Sequence, residues 1–109
     1  MSESQIKSWI FLATAIASKV KPTNFKGILI VADGINHSIP TENEIRNSLT
    51  WLINKDFISK ENKKYCLTPK GILEYEFAIK EKDSKMNIWK NLEHVFLRTY
   101  KNEKGISRV

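Results

Sequence analysis

Residues 41–71 read TENEIRNSLTWLINKDFISKENKKYCLTPKG, and the fold of the chain turns on this stretch. It opens on Thr41-Glu42-Asn43-Glu44, a capping box in which the Thr41 hydroxyl can accept from the amide three residues on while Glu44 reaches back to the cap's own N–H. Behind the box, Ile45, Leu49, Leu52 and Ile53 make one apolar stripe, which predicts a helix over about 42–55. Phe57-Ile58-Ser59 and Tyr65-Cys66-Leu67 then flank the polar run Lys60-Glu61-Asn62-Lys63-Lys64, the pattern of a short hairpin. Thr68-Pro69 starts the next helix, with Thr as cap and Pro at the first helical position.

Upstream, Ile6, Trp9, Ile10, Ala13, Ile16, Ala17 and Val20 recur at three-four spacing and predict an amphipathic helix over 4–20, stopped by Pro22. A second helix starts with Thr23 or Asn24 as cap and runs through Phe25, Ile28, Leu29, Ile30, Val31 and Ala32. It is apolar nearly all round, so it is expected to be the central, most buried helix, although its β-branched run also fits a strand. Asp33 to Ser38 carries turn-forming residues before Ile39-Pro40. Downstream, the helix after Pro69 bears Ile72, Leu73, Phe77 and Ile79, and the chain breaks at Asp83-Ser84. A last helix over 85–101 shows Ile88, Trp89, Leu92, Val95, Phe96 and Tyr100, and a polar tail, 102–109, follows. The expected class is mainly α with a small β-hairpin, in the order three helices, hairpin, two helices.

A chain of 109 residues is expected to form a single domain, 1–109, and its 41% hydrophobic and 28% charged residues are a globular balance. With Cys66 as its only cysteine it forms no intrachain disulfide, which suits a reducing compartment, and the thiol reads as a small filler in a strand. No stretch approaches the ~20 apolar residues of a membrane span. The N-terminus lacks the basic region of a signal peptide, so cytoplasm is expected and membrane is not. Eighteen Lys and Arg against 12 acidic residues give a net charge of +6, a field that draws the chain toward polyanions.

The segment Thr41 to Gly71 resembles the winged helix-turn-helix superfamily, in particular bacterial regulators of the MarR and PadR kind. In those families the recognition helix ends in a Leu, three variable residues, a Gly and an apolar pair; a charged hairpin follows and closes in Leu-Thr-x-x-Gly. The matching residues are Leu52, then Asp56, Phe57 and Ile58, then Lys60 to Lys64, then Leu67-Thr68-Pro69-Lys70-Gly71. The resemblance implies a winged helix-turn-helix over 23–71, with additional N-terminal (4–20) and C-terminal (72–101) helices, the latter a possible dimerisation element. It also implies a transcriptional regulator that binds double-stranded DNA. Asp56 stands where the families usually carry Gly, at a helix end that favours the left-handed conformation, which Asp tolerates. The stretch Ala32 to Thr41 resembles a motif of bacterial proteins of unknown function and implies no activity.

With the apolar stripe turned inward, the opposite face of the 42–55 helix presents Asn43, Asn47, Thr50 and Asn54, with Arg46 on its flank. Asn can pair bidentately with adenine and Arg with guanine, and Thr can touch a base edge or a thymine methyl. Lys60, Lys63 and Lys64 at the hairpin tip are the expected phosphate clamp, with Lys26 and Lys70 as further backbone contacts. A solvated helix face and a hairpin that carries Lys for solubility are the plainer alternatives. Glu42, near the phosphates of such a complex, and the apolar second helix favour a winged-helix module for protein contacts that does not bind DNA, with a protein partner not identified by the sequence.

Trp51 lies off the buried stripe and needs cover from a terminal helix or a second subunit. The terminal helices carry much apolar surface, so a symmetric homodimer is expected, with Trp9, Trp51, Trp89 and Phe96 as interface candidates; helices that complete the monomer core are the alternative. The histidines are His37 and His94, and only Asp33, four residues before His37, stands at a metal-ligand spacing. That pair is expected to shape the turn by local hydrogen bonds. With no phosphate loop, nucleophile elbow or paired carboxylates, neither an enzyme nor a metal or other cofactor is expected.

Overall fold

The computed structural model describes residues 1–80 and 85–106. They form α1 (Glu3–Ala17), α2 (Phe25–Asn36), α3 (Glu42–Asn54), the hairpin strands β1 (Ile58–Glu61) and β2 (Lys64–Leu67), α4 (Pro69–Lys80) and α5 (Lys85–Ile106). The expected class and element order are those the chain adopts. The expected break at Asp83-Ser84, the side chain of Tyr100 and the last three residues of the expected tail lie outside the described residues. Residues 102–106 continue α5 rather than starting a tail.

The central helix is α1, not α2. Ile10, Phe11, Leu12 and Ala13 are four consecutive residues with no exposed surface, so every side of α1 is covered, and it packs on α2, α3 and α5. Its polar residues hid this. The Ser8 hydroxyl donates to the Ser4 carbonyl at 2.7 Å and the Thr14 hydroxyl to the Ile10 carbonyl at 2.8 Å. A hydroxyl satisfied within its own helix can be buried at little cost, so Ser and Thr do not mark a solvent face here. By contrast α2 fully buries only Ile28, Ala32 and Ile35, and leaves Ile30 62% exposed.

Helix ends follow local chemistry. Ser2 and Gln5 form a capping box on α1, and Thr41 and Glu44 form the expected one on α3. Asn24 caps α2, whose β-branched run is helical. That helix continues through the expected turn to Asn36, where His37 takes a left-handed conformation and its N–H donates to the Asp33 carbonyl at 2.7 Å. Asp33 and His37 therefore do meet locally, through backbone atoms. At the other end of the first helix, α1 stops at Ala17, so Val20 lies beyond it, 94% exposed.

The hairpin is longer than its apolar residues suggest. Asn62 and Lys63, with φ of 52° and 63°, form a two-residue turn with both central residues left-handed, and the polar residues on either side are paired strand. Thr23, between α1 and α2, adds a one-residue third strand through two backbone hydrogen bonds with Tyr65. Asp56 sits at φ 66°, as expected of its position. Beyond the hairpin, the Thr68 hydroxyl accepts from the Gly71 amide at 3.0 Å and donates to the Asp56 carbonyl, which clasps the start of α4 to the end of α3.

The four aromatic residues expected at a subunit contact belong to the monomer core instead. Trp9 lies 6.0 Å from Trp89, and each indole N–H is used inside the chain: Trp9 donates to the Ala32 carbonyl at 2.9 Å, Trp89 to the Gln5 carbonyl at 3.0 Å. Phe96 is fully buried between Phe11 and Phe57, with ring centroids 5.2 and 5.0 Å away. Trp51, half-buried, stacks on Phe57 and meets the edge of Phe96. Burial of this apolar area against α1 requires no second copy.

Candidate nucleic-acid interface

The inward stripe of α3 is Ile45, Ser48, Leu49 and Leu52, all buried, with Ile53 partly so. Its opposite face carries Asn43, Asn47, Thr50 and Asn54, all exposed, with exposed Arg46 beside them, as the helical spacing demands. Both acidic residues of the first turn are engaged. Glu44 accepts from the Thr41 amide at 2.8 Å. One oxygen of Glu42 accepts from Arg46 Nε and Nη2 at 3.2 and 3.0 Å, while the guanidinium lies 5.0 Å from the Phe25 ring centroid. Glu42 and Arg46 thus form an exposed ion pair, four residues apart on the helix surface.

Arg46 and Thr50 of α3 and Lys60 of β1 line one recess, floored by Phe25, Leu49, Ile53 and Tyr65. Lys60 stands opposite Tyr65 in the hairpin register, its ammonium 5.5 Å from that ring. The exposed side of α3 and one face of the hairpin therefore border one recess, with Arg46 and Lys60 among its lining residues.

The expected three-lysine clamp is divided. Strand residues alternate between faces, and the pairing of Glu61 with Lys64 and Ser59 with Cys66 puts Lys64 on the face away from Lys60. There Lys64 shares a second groove with Lys21, Ser59, Glu61 and Cys66. Lys63 occupies the turn between the faces and is exposed. A polar run reads as a loop in which all three lysines point together; strand pairing up to the turn separates them.

Two further residues depart from expectation. Lys70 donates to the Lys55 carbonyl at 3.0 Å and lies 4.6 Å from the Phe57 ring, so it closes the end of α3. Lys21 was absent from the sequence candidates because only the Thr23–Tyr65 bridge brings its segment to the hairpin. Lys26 is exposed on the first turn of α2. The role of Glu42 had a signal in the sequence, its spacing of four from Arg46.

Among the described residues no group of three or more His, Cys, Asp or Glu is placed to hold a metal ion, and no helix is long and apolar enough to cross a membrane. No protein-family model, no curated protein and no solved structure matches the chain.

Proposed function

We propose that the chain is a winged helix-turn-helix module that binds double-stranded DNA as a transcriptional regulator. The observation that carries this reading is the shared recess: Arg46 and Thr50 of α3 and Lys60 of the hairpin face one concavity, next to the exposed amides Asn43, Asn47 and Asn54. In this reading α3 lies in the major groove, where its amides and Arg46 address base edges. Lys60 and Lys63 meet the flanking phosphates. The order α1, Thr23 bridge, α2, α3, hairpin supports the winged-helix reading, as do left-handed Asp56 and the close seat of Gly71. A symmetric pair of copies would read two half-sites about one helical turn apart.

Fluorescence anisotropy with mixed-sequence and AT-rich duplexes tests the proposal. Binding at low ionic strength that weakens log-linearly with salt is the expected result. A flat titration at low salt with tens of micromolar protein ends it.

A second reading, a module for protein contacts that does not bind DNA, is favoured by Ile30 and Ile39, which stand 62% and 65% exposed on and just after α2. The same anisotropy titration separates the two.

A further inference from the structure

We infer that Arg46 reads a guanine in the major groove through its Nη1–Nη2 edge, and that Glu42 is the positioning residue that leaves this edge free. The inference rests on the DNA-binding reading above. It names one base of the target and the residue behind its recognition.

A guanidinium carries five N–H donors in a fixed plane. Glu42 Oε1 accepts from Nε and Nη2 of Arg46, at 3.2 and 3.0 Å, which uses the edge next to the side-chain stem. The remaining donors, on Nη1 and on the far side of Nη2, have no partner among the described residues. The guanidinium carbon lies 5.0 Å from the Phe25 ring centroid, and the side chain is 62% exposed. One edge is therefore taken, one face meets an aromatic ring, and the outer fork is open.

That fork selects its ligand. Two parallel donors need two acceptors side by side, and in the major groove guanine alone offers them, as O6 and N7. Adenine sets a donor beside its N7, thymine has one acceptor, and cytosine presents a donor. A phosphate fits the same fork. The Glu42 carboxylate, bonded to the same guanidinium, repels a phosphate but not an uncharged base edge. While water surrounds it, this ion pair adds little to stability. Beneath a duplex water is excluded, so the pair strengthens and keeps the fork in one orientation, which favours the base that matches it. Arg46 and Thr50 line the recess beside Lys60, so the guanine falls on the hairpin side of the contacted bases. Asn43, Asn47 and Asn54, which do not line it, address the bases beyond.

A duplex pool with a randomised centre, selected on the wild-type full chain at low salt, supplies a bound sequence. Anisotropy then compares each of its guanines with 7-deazaguanine, which pairs normally but lacks the N7 acceptor. At one position the replacement should weaken wild-type binding roughly five- to tenfold. Glu42→Ala removes a carboxylate close to the phosphates, so total affinity should rise while the 7-deaza penalty largely disappears. Glu42→Gln, whose Oε1 can still accept from Nε and Nη2, should keep the penalty, and Arg46→Ala should lose it. Far-UV circular dichroism should be unchanged in all three, since both side chains are exposed. If Glu42 merely repels DNA, both Glu42 variants bind more tightly with the penalty intact, and that result overturns its positioning role. A wild type that binds duplexes with no 7-deaza penalty overturns the guanine assignment and leaves DNA binding standing. No binding to any duplex in the pool ends the DNA reading and this inference with it.

Discussion

Thr23 and Tyr65 exchange both of their backbone hydrogen bonds, the Thr23 N–H donating to the Tyr65 carbonyl at 2.9 Å and the Tyr65 N–H to the Thr23 carbonyl at 2.6 Å. The hairpin is thereby tied to the α1–α2 connection, 42 positions earlier in the chain, and its angle to α3 is held. A two-stranded hairpin alone is marginal in water.

Replacing Thr23 with Pro removes the donor and leaves the Tyr65 carbonyl without it. The expected cost is about 1–3 kcal/mol, with faster amide exchange along β1 and β2 than along α3. Denaturant unfolding and hydrogen exchange measure both. An unchanged midpoint with unchanged hairpin protection would show that the bridge does not hold the hairpin.

Gly71 is seated so tightly that a Cβ built on it would lie 2.0 Å from the Phe57 carbonyl oxygen, a backbone atom that cannot swing aside. Gly71→Ala should therefore force α4 off the hairpin and destabilise the chain by about 3 kcal/mol, a fall in Tm of roughly 10–20 °C. A thermal melt within two or three degrees of wild type contradicts this seating.

Asp56 occupies a left-handed conformation at φ 66° between α3 and β1. Its carbonyl, which accepts from Thr68, is kept when the side chain is removed. Asp56→Gly should stabilise the chain by about 0.5–1 kcal/mol, relief of backbone strain outweighing the added freedom of the unfolded chain. Urea titration reads the sign directly; destabilisation would mean that the Asp56 side chain contributes more than its backbone strain costs.

Lys60 and Lys64 lie on opposite faces of the hairpin, so the proposed DNA contact distinguishes them. Lys60→Ala should weaken duplex binding on every sequence and lower the magnitude of the salt slope by about one, whereas Lys64→Ala should do less. Anisotropy at several ionic strengths makes the comparison. Equal losses would place the duplex across the hairpin tip instead of in the α3 recess.

What the sequence by itself determined lies within a few residues along the chain. The Thr41–Glu44 box, the Thr68-Pro69 start of α4 and the left-handed site at Asp56 are set by hydrogen bonds and backbone sterics among near neighbours, and those near neighbours are legible. The outward face of α3, from Asn43 to Asn54, follows equally from helical period. Tertiary structure alone decided the rest. Whether α1 or α2 takes the centre depends on which helix the others surround, and the self-satisfied hydroxyls of Ser8 and Thr14 conceal that choice. Trp9 and Trp89 looked surplus because nothing in sequence reveals that α5 returns across α1 and brings residues 80 positions apart to within 6.0 Å. Lys60 and Lys64 parted because pairing continued to a two-residue turn, and a change of one residue in register moves a side chain to the other face.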